Sequence, residues 1–341
     1  MRYLVTGGAG FIGSHIVERL LKEGHFVRVL DNFSSGKEEN LDFTKHLTPN
    51  TYDLIKGDIR DKATCNKACE SIDYVLHQAA LRSVPKSMND PQSYNDVNIN
   101  GTVFMLQAAA KNKVKRFVFA SSSSVYGDID TFPEKEDFLP QPISPYALTK
   151  LAGEHYCHIF SEHFNLETMC LRYFNVFGPR QALDDEYAVV VPKFIHCILH
   201  DEQPPIFGTG KQSRDFTYID NVVEANILAA TQGLEGSAPP AGGGTPGLPI
   251  GRGASVSVPK KAAHIVFNVA NGKDNTVLEL VYALNKIIGK NIKPTFLPVR
   301  PGDVFRTLAD ISKIKSKLGF KPKVDFEEGL KRTVTWFQST S

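Results

Sequence analysis

The sequence predicts an α/β fold, a doubly wound parallel sheet followed by a smaller C-terminal domain, and three observations carry that prediction. Short apolar runs rich in β-formers recur along the chain. Most are separated by stretches of helical periodicity, and this alternation lasts for about 180 residues before it turns irregular. In chain order the strand "RYLVT" leads into the helical pattern "GFIGSHIVERLLKEG", and the strands "FVRVL", "YDLIKG" and "DYVLHQA" come next. The helix "VNINGTVFMLQAAAKN" precedes the strand "RFVFAS". A second helix opening at "SPYALTK" precedes the strand "TMCLRYF". Strands that alternate with helices form a parallel sheet covered on both faces, and ligands bind at its carboxyl edge. The reading assigns 1–180 to a nucleotide-binding domain, with returns at about 216–232 and 264–271, and assigns 181–215 and 272–341 to a substrate-binding domain. Residues 233–263 are dominated by Gly, Pro, Ala and Ser without apolar periodicity, so a flexible insertion is expected there, between the helix "YIDNVVEANILAATQ" and the strand "IVFNVA".

With 341 residues, 42% of them hydrophobic, the chain has ample material for a core. Lys plus Arg (39) nearly balances Asp plus Glu (37), so the net charge of +2 gives no ground for a nucleic-acid or membrane partner. Met1 runs straight into "RYLVTGGAGFIG", with no basic and apolar leader, which predicts an untargeted, cytoplasmic protein. The five cysteines lack zinc spacing and are expected to be reduced core residues; no metal is predicted.

In "YLVTGGAGFIGSH", Gly7, Gly10 and Gly13 fall in a strand-turn-helix context. Glycine there permits the tight turn and the close approach of backbone to a pyrophosphate facing the helix N-terminus, which makes the sheet Rossmann-type. The next strand ends at Asp31, placed to accept from the adenosine ribose hydroxyls. A carboxylate there repels a 2′-phosphate, and neither Asn32 nor Phe33 is basic, so NAD is expected rather than NADP. Asp58 and Ile59, in "GDIRD", are placed to flank the adenine.

The stretch "FVFASSSSVYGD" puts four serines, Ser121 to Ser124, at the end of a strand. Downstream, Ser144 and Pro145 start a helix that carries Tyr146 and Lys150 at i and i+4, on one face. An ammonium beside a phenol, with the positive nicotinamide, lowers the phenol's pKa toward the range where a phenolate acts as a base.

The sequence resembles the extended short-chain dehydrogenase/reductase family and, within it, the NAD-dependent nucleotide-sugar epimerases. The motifs that carry the resemblance are "TGGAGFIG", "HQAA", "NINGT", "SSSSVYG", "SPYALTK", "LRYFNVFGPR", "GTGKQSRDFTYIDN" and "RPGDV". It implies that Phe11, Ile12, Ser35, Gly36, Gln78, Ala79, Ala80, Asn98 and Tyr173 join the glycines, Asp31, Asn32, Asp58, Ile59, Tyr146 and Lys150 around NAD. It also implies that Ser122, three before Val125, assists Tyr146, and that Ser123 is a second hydroxyl near the sugar; Ser121 is left as strand-end backbone. The implied reaction oxidises the sugar 4-hydroxyl to a 4-keto intermediate, which turns over and is reduced on its other face. By the same resemblance Asn175, Arg214 and Arg300 hold the diphosphate end of a UDP-sugar, and Asp303 is among the substrate-binding residues. Val189 and Val191 lie along the uracil and Ser83 reaches the sugar.

In the family it resembles, dehydratases carry an Asp-Glu pair after the catalytic hydroxyl and decarboxylases a Glu just before the Val-Tyr; the serines at 123 and 124 therefore imply epimerisation. Thr307 falls at the position that gates room for a 2-acetamido group, which implies a UDP-N-acetylglucosamine 4-epimerase that also takes UDP-glucose. The alternatives are a UDP-glucuronate 4-epimerase, on the strength of Arg82 beside Ser83, another nucleotide-sugar dehydratase or reductase, and a non-catalytic NAD-binding regulator. Relatives also imply a homodimer formed through the helices of "NDVNINGTVFMLQAAAKN" and "SPYALTKLAGEHYCHIFSEHF".

Overall fold

The computed structural model describes residues 1–183, 190–233, 262–299 and 304–340. Most of the expected insertion at 233–263 lies outside the described residues, as do Val189, Arg300 and Asp303. The strands of the main sheet are β1 (Arg2–Thr6), β2 (Phe26–Asp31), β3 (Tyr52–Lys56), β4 (Tyr74–His77), β5 (Arg116–Ser122) and β6 (Glu167–Tyr173). Short strands follow as β7 (Val176–Phe177), β8 (Pro205–Phe207), β9 (Ser213–Arg214) and β10 (Thr217–Tyr218), and the last main strand is β11 (His264–Val269). The helices of the first half are α1 (Phe11–Lys22), α2 (Lys62–Cys69), α3 (Val84–Asn89), α4 (Pro91–Tyr94), α5 (Thr102–Lys111) and α6 (Pro145–Phe164). Beyond them come α7 (Val190–Leu199), α8 (Ile219–Thr231), α9 (Val277–Ile288), α10 (Ser312–Leu318) and α11 (Phe326–Thr340).

The seven-stranded sheet has the order β11-β6-β5-β4-β1-β2-β3, and every pair in it is parallel. The order reverses between β1 and β4, and the carboxyl ends that diverge there open a crevice. Burial follows the alternation of a strand covered on both sides. Tyr3 and Val5 pack into the cluster that contains Ile16, Val17, Leu20 and Val222, from α1 and α8. Leu4 packs oppositely, with Cys65, Met105 and Cys157 from α2, α5 and α6. All five cysteines are buried free thiols. Burial pushes the Cys65 and Cys69 thiols up to about 12, so they are packing groups rather than nucleophiles.

Local signals explain where the elements begin and end. The Ser144 hydroxyl accepts from the Ala147 amide at 3.2 Å and Pro145 occupies the first turn of α6, which ends at Asn165 in the left-handed region. Thr276 and Glu279 form a capping box that starts α9. The helix expected from "VNINGTVF" begins as a π-helical turn, Asn95–Gly101, before continuing as α5. Such wide turns cost regularity and recur beside functional sites. Helices α7, α9 and α11 pack over the carboxyl edge; Leu280, Leu330 and Val334 share one apolar cluster with Val5 and Leu171.

Candidate active site

A cleft of about 1610 Å³ runs along the carboxyl edge of the sheet. Pockets for a single small ligand hold roughly 300–1,000 Å³, so two ligands fit end to end. Every residue that the sequence assigned to the cofactor lines this cleft except Asn98.

At one end the turn after β1 is held to β2 by the Gly7 amide donating to Leu30 O at 2.8 Å and the Ala9 amide donating to Asp31 Oδ2 at 2.9 Å. A side chain on Gly7, whose φ is +67°, would lie 2.8 Å from the Ala79 nitrogen, and one on Gly13 would lie 2.1 Å from Gly7 O. Only glycine keeps this turn against the strand ends. Helix α1 begins at Gly10 with no side-chain cap and no acid in its first turn, so its leading amides are open to an anion in the cleft. The pyrophosphate of a dinucleotide fits there. Asp31 is 7% exposed and also accepts from the Phe33 amide at 2.8 Å. Burial raises its pKa and the two backbone bonds pull it back. Asp58 is held by Arg60 at 2.8 Å and by Asn32 at 2.8 Å; the Arg60 bond keeps it well below the usual carboxylate range. Arg180 lines the cleft from the α1 side, bonded to Ser14 and Glu18, a placement no local pattern announced.

Asn98 is 2% exposed. Its Oδ1 accepts from the Leu81 amide at 2.8 Å and its Nδ2 donates to Leu81 O at 3.0 Å and to Thr149 Oγ1 at 3.1 Å. It ties the segment after β4 to α6 and shapes the cleft without lining it. Gln78, Tyr173 and Asn226 form a hydrogen-bonded cluster at the floor, with Tyr173 Oη 3.0 Å from Asn226 Oδ1 and 3.2 Å from Gln78 Oε1.

Tyr146, Ser122 and Lys150 meet in the middle of the cleft. Lys150 Nζ donates to Ala120 O at 2.8 Å and lies 5.9 Å from the centre of the Tyr146 ring. Burial lowers Lys150 to about 8. In the chain alone burial raises the Tyr146 phenol, while its hydrogen bond with Ser122 and the field of Arg82 act against that. Ser122 caps the turn after β5, accepting from the Ser124 amide at 3.2 Å and bonding the Ser124 hydroxyl at 2.9 Å. Ser124, read from the sequence only for the acid it is not, therefore supports Ser122. Ser121 is more than strand-end backbone: its hydroxyl donates to Glu154 Oε1 at 2.5 Å, and Glu154 forms a two-point ion pair with Arg172, 2.9 and 2.8 Å.

The far wall is built from distant segments. Asn175 Nδ2 donates to Thr307 Oγ1 at 2.9 Å, and the Thr307 amide donates to Ser213 O at 3.1 Å. Arg214 lines the cleft here, with Nη1 on Ser213 O and Phe305 O. It does not pair with Asp215, which accepts from the amides of Asn271, Gly272 and Ala309 and is pushed up to about 7 by burial. Ser83, at φ 90°, caps α3 and lines the cleft. Val191 does not line it; its side chain is buried in the core at the start of α7. Glu134, which no sequence pattern singled out, is 2% exposed and lines the cleft.

A family model described as the NAD dependent epimerase/dehydratase family matches residues 3–240. Over 345 residues the chain is 36% identical to the UDP-glucose 4-epimerase of Mycolicibacterium smegmatis, with 100% of both covered. Among solved structures, a UDP-N-acetylglucosamine 4-epimerase from Methanobrevibacter ruminantium, in complex with UDP-N-acetylmuramic acid, superimposes with TM-score 0.87. It is 41% identical, over 100% of this chain and 99% of that one. The UDP-glucuronic acid 4-epimerase from Bacillus cereus, in complex with UDP-glucuronic acid and NAD, superimposes with TM-score 0.84 at 33% identity, over 100% of both chains.

Proposed function

The chain belongs to the NAD-dependent epimerase/dehydratase family, and from that membership we propose that it epimerises a UDP-sugar at C4, UDP-N-acetylglucosamine first and UDP-glucose second. The observation that carries this reading is the meeting of Tyr146, Ser122 and Lys150 between an uncapped glycine turn and the wall of Asn175, Arg214 and Thr307. NAD, held along the glycine turn and Asp31, would supply the hydride acceptor and donor for C4 of the sugar. The residues of this chain handle the proton and the positions. Tyr146, as phenolate, takes the proton of the 4-hydroxyl directly or through Ser122 and returns it after the sugar has turned. Arg82 favours that phenolate electrostatically. Lys150, fixed at Ala120 O, orients the nicotinamide ribose side of the cleft.

The diphosphate is the pivot, and guanidinium forks suit its oxygens. Arg214 and Asn175, which line the cleft, are proposed to hold it together with Arg300, and Asp303 is proposed to lie in the substrate site. Val189 and the leading backbone of α7 at Val191 are proposed to face the uracil. Thr307, small and at the cleft surface, leaves room for a 2-acetamido group. Positions 123 and 124 carry hydroxyls rather than the acids that elimination or decarboxylation needs. A second reading, a UDP-glucuronate 4-epimerase, is favoured by Arg82, whose positive field reaches Tyr146.

The same proposal includes a homodimer through the outer faces of α5 and α6, supported by Leu148 (53% exposed) and Ile159 (44% exposed) on one side of α6. It also places the enzyme in the cytoplasm, where reduced buried thiols are at home. Among the described residues no helix is long and apolar enough to cross a membrane. The test is to incubate the purified protein, with no NAD added, with UDP-N-acetylglucosamine, UDP-glucose and UDP-glucuronate separately. Formation of UDP-N-acetylgalactosamine supports the reading; turnover of UDP-glucuronate alone selects the second one.

A further inference from the structure

Glu134 is a buried carboxyl that the mechanism above does not use. Its backbone is clamped: the amide donates to Leu308 O at 2.7 Å, the carbonyl accepts from the Asp310 amide at 2.8 Å, and Asn268 Nδ2 reaches the same carbonyl at 2.9 Å. The parallel bridge pairs it with Ala309, two residues beyond Thr307, and Glu134 and Thr307 line the same cleft as Tyr146. Only 2% of the residue is exposed, and among the described residues Oε2 has no hydrogen-bond partner. Buried polar atoms are almost always paired, so an orphan at a ligand cleft points to a group that the ligand brings.

We propose that Glu134 hydrogen-bonds directly to the hexose of the sugar nucleotide, through an uncharged hydroxyl or amide group, and so helps to select the sugar. The inference rests on the reading of the cleft as a UDP-sugar site. Its chemistry follows from the surroundings. Burial pushes the Glu134 carboxyl up to about 8; a backbone hydrogen bond from Leu308 to the carboxyl pulls against this, and the field of Asp215 adds to it against Arg172 and Arg214. A neutral carboxylic acid offers one O–H donor and one acceptor. A sugar hydroxyl or an acetamido group presents the complementary pair.

The test compares E134M, which keeps the length and removes the polar atoms, with E134Q, which keeps a donor and an acceptor. Calorimetric binding of UDP-N-acetylglucosamine and of UDP alone is measured for each in the NAD-loaded protein, with thermal melts as the check on folding. The expected result is roughly 10-fold weaker binding of the sugar nucleotide by E134M, with UDP binding unchanged and most of the loss restored in E134Q. Equal losses for UDP and the sugar nucleotide, or no loss in a folded E134M, would overturn the proposal. Failure of the UDP-sugar reading shows separately, as wild-type protein that binds and turns over no UDP-sugar.

Discussion

Replacing Glu154 by leucine perturbs the support beneath the candidate catalytic residues, one turn beyond Lys150 on α6. Glu154 and Arg172 are 5% and 4% exposed, joined by two hydrogen bonds of 2.8 and 2.9 Å, and the Ser121 hydroxyl donates to the same carboxylate. Burial disfavours the Arg172 charge, yet its bonds with Glu154 hold the guanidinium well above its ordinary pKa. Without the carboxylate, Arg172 keeps a buried charge, and Nε and Nη2 join Nη1, which has no hydrogen-bond partner among the described residues. Breaking a buried pair on one side costs about 3–5 kcal/mol. With an unfolding entropy of about 2 cal/mol/K per residue, that is a fall in Tm of roughly 4–7 °C for a chain of this length. Arg172→Leu is expected to cost a similar amount, because it strands the carboxylate. The double variant removes both charges and is expected to cost at most about 2 kcal/mol, far less than the two single losses added. Thermal melts of the three variants and the parent, at one protein concentration and with saturating NAD, give the cycle. Single losses below about 1 kcal/mol, or a double loss equal to their sum, would refute the claim that this pair is a coupled buried support.

Tyr146→Phe removes the proposed base and is expected to lower kcat by about 10²–10⁴-fold while UDP binding persists, as followed by product chromatography and calorimetry. Gly13→Ala puts a methyl 2.1 Å from Gly7 O, so the protein is expected to lose its bound dinucleotide, read from the nucleotide content of the denatured protein. The pH dependence of stability follows from Glu134, whose folded pKa is raised to about 8. Its contribution is present below the ordinary value near 4.5 and lost as pH rises through about 8, so Glu134→Gln should gain on the parent by roughly 2–4 kcal/mol between pH 5 and pH 8 in denaturant titrations.

The parallel sheet and the nucleotide end were legible because their signals are local. Gly7, Gly10 and Gly13 sit within one turn and helix start, and Asp31 ends the neighbouring strand β2, bonded back to that turn through Ala9. Tyr146 and Lys150 share one helix face. What stayed hidden depends on residues brought together from far apart in sequence. Glu134 gains its position from Leu308 and Asp310, and Thr307 from Ser213 and Asn175. Ser121 finds Glu154 only across the β5–α6 contact, and the role of Asn98 comes from a π-helical turn that no periodicity announces. Spacing fixed which helix face Lys150 occupies, but not that its ammonium donates to Ala120 O or that the phenol is desolvated in the chain alone.

The central claim is that a hydride leaves C4 of a UDP-sugar and returns to the same carbon without leaving the protein. Its most direct test is to supply UDP-N-acetylglucosamine deuterated at C4, with no added NAD, and to examine the UDP-N-acetylgalactosamine formed by mass spectrometry and NMR. The product is expected to keep its deuterium at C4, with none in the solvent. Loss of the deuterium to water, or turnover only with stoichiometric added NADH, would contradict it.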